Sequence, residues 1–161
     1  MAVLENAVEI ARSPVEVFDY CSDLSNEREW TPGSMKSVEK LTDGPVGVGT
    51  RYLAEWQQGG PTTVEYTRFE RPTSWEATSD SKMLGMVFQA RVEPTSAGSR
   101  LIVRMDLRPH GLARLGSPIL RRVMQREEVR NLAAIKRTLE AGPRMHTPQP
   151  GARPSQGTTL R

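Results

Sequence analysis

Cysteine and histidine are nearly absent from the 161-residue sequence, which holds one cysteine, Cys21, and two histidines, His110 and His146. A single cysteine cannot form an intramolecular disulfide bond, and these three residues complete no zinc ligand set. Only His110 lies ahead of the C-terminal tail, so no Ser-His-Asp triad or Cys-His pair is indicated. The sequence therefore predicts no metal site and no cofactor, and His110 is a weak general base at best.

Long apolar stretches are also missing. No run of residues is long and apolar enough to span a membrane, and the amino terminus lacks the basic region and apolar stretch of a secretory signal. Hydrophobic residues make up 37% of the chain and charged residues 25%, as in ordinary soluble proteins. A chain of 161 residues favours one domain with a substantial core, which we expect in the cytoplasm.

A basic field across the domain is absent too, although the isoelectric point is near 9.3. Residues 142–161 carry Arg144, Arg153 and Arg161 without any acid, so residues 1–141 hold 19 basic and 19 acidic side chains. We therefore expect no nucleic-acid partner. Residues 142–161 are rich in proline and glycine and lack apolar periodicity, and we expect a disordered, passive extension of the domain at 1–141.

The sequence does contain a series of short segments in which apolar and polar residues alternate, a pattern typical of β-strands. Turn-forming residues, such as those at 59–61 and 96–98, separate the segments by distances short enough for hairpins. The predicted strands are residues 3–12, 34–41, 49–57, 62–70, 74–79, 83–93 and 100–108. This order indicates an α+β fold with a seven-stranded antiparallel meander.

Two short helices are predicted after the first strand. Ser13 followed by Pro14 is typical of a helix start, and Cys21 falls on the apolar side of that helix, where it should act as a buried small hydrophobe. The second helix begins at Ser25 and ends before residues 31–33. Trp30, at its end, is either a plug of the core or part of a lid.

The last strand is followed by one long predicted helix, from Leu112 to Glu140. Pro118 lies inside it and either kinks it, which would make a flexible cavity mouth, or begins its second piece. The apolar side of the helix becomes partly polar in its second half. That side is formed by Leu112, Leu115, Ile119, Leu120, Val123, Met124, Glu127, Asn131, Ala134, Ile135 and Thr138.

Several of these segments resemble a known superfamily. The matching residues are Ser13-Pro14-Val15-Glu16-Val17-Phe18, Asp23-Leu24, Trp30, Gly47-Val48-Gly49-Thr50-Arg51-Tyr52, the strand pair 88–93 and 98–107, Asn131-Leu132 and Lys136. Over about residues 3–141 the chain resembles the START-like, or SRPBCC, helix-grip superfamily. The resemblance is in particular to the bacterial branch named for polyketide cyclase/dehydrase and lipid transport, of which the birch-pollen allergens are distant relatives. The resemblance implies a curved sheet wrapped round the long C-terminal helix.

A curved sheet that grips a helix encloses a space suited to a ligand, and strand alternation shows which residues could line it. Tyr66 and Arg68 share a predicted face with Val64, and Glu127 and Asn131 come from the helix; these are the polar groups that could orient a ligand. A filled core is the alternative for any single position, and an Arg68 that reaches solvent is the alternative for that residue. The candidate ligand-binding residues are Trp30, Tyr52, Ala54, Trp56, Tyr66, Arg68, Phe88, Ala90, Val103, Met105, Leu112, Ile119, Val123, Glu127 and Asn131.

Three functions are compatible with this pattern. The first is binding or transport of a hydrophobic small molecule such as a lipid, polyketide or aromatic metabolite. The second is an aromatase/cyclase-type enzyme that folds a polyketide, and the third is a regulatory or toxin-like interaction protein. We expect the first, as a monomer or homodimer. Its arginine-rich helix either contacts a membrane surface transiently or is simply solvated.

Overall fold

The computed structural model describes residues 2–31, 33–57, 60–111 and 117–142. It contains one seven-stranded antiparallel sheet in the order β1-β7-β6-β5-β4-β3-β2, which confirms the predicted fold class. The strands are β1 (Ala2–Ile10), β2 (Met35–Lys40), β3 (Arg51–Trp56), β4 (Gly60–Glu70), β5 (Ser74–Asp80), β6 (Leu84–Thr95) and β7 (Gly98–Pro109). The helices are α1 (Pro14–Cys21), α2 (Glu27–Trp30) and α3 (Ser117–Ala141), with a 3-10 turn at Leu24–Asn26 ahead of α2.

The alternation in the strands follows from burial on one side of the sheet. In β7, Leu101, Val103, Met105 and Leu107 are buried while Arg100, Arg104 and Arg108 are exposed. The register continues this inner face across the sheet, because Ala90 lies opposite Val103 and Phe88 opposite Met105. One face thus carries the core, and the other carries charged side chains in solvent.

Helix α1 closes one end of the inner face. Ser13 caps the helix, as the Ser-Pro start predicts, and the structure adds reciprocal contacts between Ser13 and Glu16 that form a capping box. Phe18 is fully buried and meets the rings of Phe69 and Trp75 edge-on, at centroid distances of 5.1 and 5.2 Å. Cys21 is buried, as predicted, and burial raises the pKa of its thiol. This end of the sheet is therefore filled by packed aromatic rings.

Helix α3 is fixed to the rest of the fold at its C-terminal end. The buried Arg12 donates from its Nη2 atom to the carbonyl oxygens of Glu140 and Gly142, which satisfies acceptors that the helix end leaves open. The Glu140 carboxylate accepts from the Ala11 amide at 2.9 Å, and Lys136 donates to the Glu9 carbonyl at 2.7 Å. These bonds tie the helix end to the connection between β1 and α1.

The first turn of α3 contains Pro118, where the missing amide hydrogen would have no partner within the helix. Leu112 and Leu115 of the predicted helix, and residues 143–161 of the predicted tail, lie outside the described residues. Within the described ranges, no helix is long and apolar enough to cross a membrane.

Candidate functional site

An aromatic wall occupies the inner face of the sheet beside α2. It consists of Tyr52 and Trp56 on β3, Tyr66 on β4 and Phe88 on β6, which strand alternation and register bring to the same face. Tyr52 and Tyr66 are buried, with ring centroids 5.8 Å apart, whereas Trp56 and Phe88 are partly exposed. The aromatic wall therefore extends from the buried core to side chains that are accessible to solvent.

The two tyrosine hydroxyls have their protons directed away from this wall. Tyr52 donates to the Asp23 carboxylate at 2.9 Å, and Tyr66 donates to the Ser22 carbonyl at 2.7 Å. Burial raises the pKa of both phenols, and the negative charges of the neighbouring acids add to the effect. Both groups stay neutral at physiological pH and act as fixed donors.

Two carboxyl groups lie at the junction of α2 and α3. Glu27 accepts a hydrogen bond from the Trp56 indole at 3.2 Å, and burial raises its pKa to about 7. Glu128 is 7% exposed; burial, followed by repulsion from Glu27, raises its pKa to about 7 as well. Since α2 packs against α3, the pair lies at the junction of the two helices. Two such groups can gain or lose protons near neutral pH.

Neither acid is among the residues selected from the sequence, although the helix pattern contains a signal for Glu128. The residues of α3 that turn inward are Met124, Glu128, Leu132, Ile135 and Leu139, which follow helical spacing. An acid inside such a stripe is unusual, because burying an unpaired carboxylate is costly. Glu127 is one position off this stripe and is more exposed than Glu128. The sequence signal for Glu27 is weaker, because a one-turn helix has no periodicity to read.

The prediction that Ile119 and Val123 face the sheet is wrong. Ile119 is 73% exposed and Val123 37% exposed. Val123 and Leu132 are nine positions apart, which places them on opposite sides of a regular helix, about 180° from each other. The predicted stripe joined two apolar sides of α3 that point in different directions, and only the side with Leu132 contacts the core.

The prediction that Arg68 shares a face with Tyr66 is also wrong. The pairing of β4 with β5 shifts between Tyr66 and Arg68, so an extra residue interrupts the alternation. Phe69 therefore takes the inner position opposite Trp75, and Arg68 points to solvent with its side chain 62% exposed. It pairs with Glu70 at 2.7 Å, an exposed ion pair of small energetic value.

The structure brings the other predicted residues together in two groups. A buried group forms part of the closed core: Trp30, Tyr52, Ala54, Tyr66, Ala90, Val103 and Met105. A partly exposed group lies nearer the surface: Trp56, Phe88, Glu127 and Asn131. Trp30 packs on Tyr20 at a centroid distance of 5.1 Å, as a plug of the core would. Leu112 lies outside the described residues, and ligand binding by the set stays a prediction.

Apolar side chains are only partly covered at the end of the sheet opposite α1. On β6 these are Leu84, Met86 and Phe88, which continue the inner face beyond the buried Ala90. On α3, Met124 is likewise only partly buried and packs against the same core. Two elements that contribute to the core, β6 and α3, thus each carry apolar side chains that are incompletely covered.

Two further features lie away from this region. A groove of about 370 Å³ runs between β1 and α3 and is lined by Ala7, Val129 and Lys136 among others, none of them predicted site residues. His110 contacts Asp80 at 2.8 Å with both side chains largely exposed, so it joins the end of β7 to the β5–β6 turn at the surface. Within the described ranges, His, Cys, Asp and Glu form no group of three or more suited to a metal ion.

Comparison with known proteins gives a family and a set of similar folds. The family described as "Polyketide cyclase / dehydrase and lipid transport" matches residues 1–140. No curated protein matches the sequence.

Solved structures with the same fold include the Zhui aromatase/cyclase from Streptomyces sp. R1128, with 17% identity, a TM-score of 0.71 and coverage of 86% of this chain and 93% of that one. Ara h 8.0201 has 18% identity and a TM-score of 0.65 over 88% of this chain and 99% of its own. A conserved protein from Geobacillus kaustophilus has 15% identity and a TM-score of 0.68 over 86% and 95%. At these identities, the likeness establishes the architecture alone.

Proposed function

The chain belongs to the polyketide cyclase / dehydrase and lipid transport family, and from this we propose that it binds an apolar small molecule between the inner face of the sheet and the first half of α3. The observation that carries the proposal is the incomplete covering of Leu84, Met86 and Phe88 on β6, and of Met124 on the inward side of α3. Apolar side chains left open on two neighbouring elements gain free energy when a third apolar surface covers them. The aromatic wall would form the inner boundary of the site.

A charged residue on the α3 side of this site is expected to weaken binding. We predict that Met124→Glu raises the dissociation constant of Nile red, an uncharged fluorescent dye, by about tenfold or more, or about 1.4 kcal/mol. A carboxylate there would lose hydration when the dye covers it. Fluorescence titration of the wild type and the variant measures both constants, and thermal unfolding of the variant checks that the fold tolerates a charge at the partly exposed Met124.

Val129→Glu is the control, because Val129 is also an apolar residue of α3 but borders the β1 groove instead. Its dye affinity should equal that of the wild type. An equal loss in both variants would contradict the placement of the site, and a wild-type protein that does not bind the dye would overturn the proposed function.

Contact with a membrane surface during ligand exchange is part of the same proposal. The arginines of α3 that are exposed to solvent are Arg121, Arg122, Arg126, Arg130 and Arg137. A basic, exposed helix face of this kind is attracted to anionic lipid headgroups, and the attraction weakens as salt is added.

A second candidate function is catalysis of the cyclase type, which the Glu27–Glu128 pair favours. Cyclisation of a polyketide needs a proton removed from one carbon and delivered to an oxygen, and acids with a pKa near 7 can do both. Glu128→Gln would then abolish conversion of a synthetic poly-β-ketone while leaving its binding intact. Unchanged product formation in this variant would exclude the pair as the acid and base.

A further inference from the structure

The Glu27–Glu128 pair lacks a positively charged partner in the described part of the chain. Only 7% of the surface of Glu128 is exposed. None of the described residues donates a hydrogen bond to its carboxyl group or forms an ion pair with it. Glu27 has a single neutral donor, the Trp56 indole. With one donor between them, the two acids have carboxyl oxygens without a partner among the described residues. The buried side-chain atoms there that lack a partner are Asn6 Nδ2 and Asp106 Oδ1, so these carboxyl oxygens still reach solvent and are open to a ligand.

The donors that the structure describes near the pair are directed to other acceptors. Tyr52 and Tyr66 direct their hydroxyl protons to Asp23 and to the Ser22 carbonyl. Asp23 is itself an acid, and its charge acts on Tyr66 together with that of Glu27. On the β1 side of α3, Gln125 donates to the Asn6 side-chain oxygen, and Lys136 is bound to the Glu9 carbonyl and Glu140. The region thus offers acceptors and aromatic rings.

We propose that the apolar ligand carries a protonated amine, which the carboxylates of Glu27 and Glu128 bind beside the rings of Trp56, Tyr52 and Tyr66. This inference rests on the proposed function and specifies the ligand class of that site. A cation would satisfy both acids at once, since an ammonium group has hydrogens to donate and a charge that offsets theirs. Aromatic rings next to carboxylates add cation–π attraction, which is strongest for tryptophan and tyrosine.

The same arrangement predicts how amine binding depends on pH. Without ligand, the pair retains a proton near pH 7; a bound cation favours the ionised form of both acids and releases that proton. Affinity for an amine should therefore rise from pH 6 to pH 8. Affinity for an uncharged analogue of the same shape should change little over this range.

The test compares naphthalen-1-ylmethanamine with naphthalen-1-ylmethanol, which share a ring system and differ in charge. We expect the wild-type protein at pH 8 to bind the amine about tenfold or more tightly than the alcohol, as measured by calorimetry. At pH 7, calorimetry in two buffers of different ionisation enthalpy should show release of about one proton per amine bound. Glu128→Gln should abolish the preference for the amine, whereas Glu65→Gln, at an exposed position of β4, should retain it.

Equal binding of the two compounds, or a preference that survives Glu128→Gln, would overturn the amine inference and leave the proposed function standing. If neither naphthyl compound binds a protein that does bind Nile red, the amine inference is overturned as well. A protein that binds neither Nile red nor the naphthyl compounds would overturn both. Thermal unfolding of each variant shows that a lost preference is not lost structure.

Discussion

Glu128→Gln is expected to raise the free energy of unfolding by about 3 kcal/mol at pH 8 and to change it by less than about 0.5 kcal/mol at pH 4. The ordinary carboxyl pKa of 4.5 is raised to about 7 in the folded protein, so the folded state holds a proton that the unfolded state releases. This acid therefore favours folding at low pH, and its contribution is lost as the pH rises from about 4.5 to about 7. Glutamine is uncharged throughout. Urea unfolding of both proteins at pH 4, 6 and 8 measures the difference.

The matched control for this prediction is Glu127→Gln, which removes the same charge from the neighbouring position of the same helix. Glu127 is more exposed than Glu128, and the variant should change the unfolding free energy by less than about 0.5 kcal/mol at each pH. A pH-independent effect of Glu128→Gln, or an equal effect in the control, would show that Glu128 is not held in a desolvated place beside Glu27.

Gly98→Ala is expected to lower the free energy of unfolding by about 3 kcal/mol or more, because the substitution combines overpacking with backbone strain. Gly98 begins β7 with φ +150°, and a Cβ atom there would lie 2.3 Å from the Ile10 carbonyl oxygen and 2.8 Å from the Arg12 amide nitrogen. Both are backbone atoms that cannot turn aside. Relief of the clash would displace the connection between β1 and α1, where Arg12 holds the end of α3.

Gly47→Ala provides the comparison, because Gly47 has ordinary backbone angles and open space where the methyl group would be. Its stability should stay within about 0.5 kcal/mol of the wild type or rise slightly. Chemical unfolding monitored by tryptophan fluorescence gives both values. A Gly98→Ala protein as stable as Gly47→Ala would mean that the β6–β7 hairpin does not approach the β1–α1 connection so closely.

Strand alternation predicts the seven strands and their order, because most strands have one buried and one solvated face, and the resemblance to the superfamily supplies the wrapping of the sheet round the helix. The predicted segments 62–70, 74–79 and 100–108 each lie within one or two residues of β4, β5 and β7. The cap of α1 was likewise encoded locally, in Ser13, Pro14 and Glu16. Such features depend on neighbours in the chain, and sequence patterns report them well.

The site was predicted less completely, since its chemistry depends on contacts between distant segments. Glu27 and Glu128 are 101 positions apart in the chain, and neither has a local pattern that reveals the other. Arg68 was misplaced because one extra residue in β4 reverses the alternation beyond Tyr66, which no propensity indicates. Ile119 and Val123 were misplaced because an apolar residue in a helix can lie on a side that no other element covers.

The pairing of β1 with β7 also has a consequence for how the chain reaches its folded state. All other neighbours in the sheet follow one another in sequence, so those hairpins can form as soon as their two strands have left the ribosome. Strand β1 has no partner until Gly98–Pro109 has emerged, which makes this closure the contact with the longest loop and the slowest to form. During synthesis, Leu4 and Ile10 would therefore be apolar, unpaired and open to chaperones or to other nascent chains.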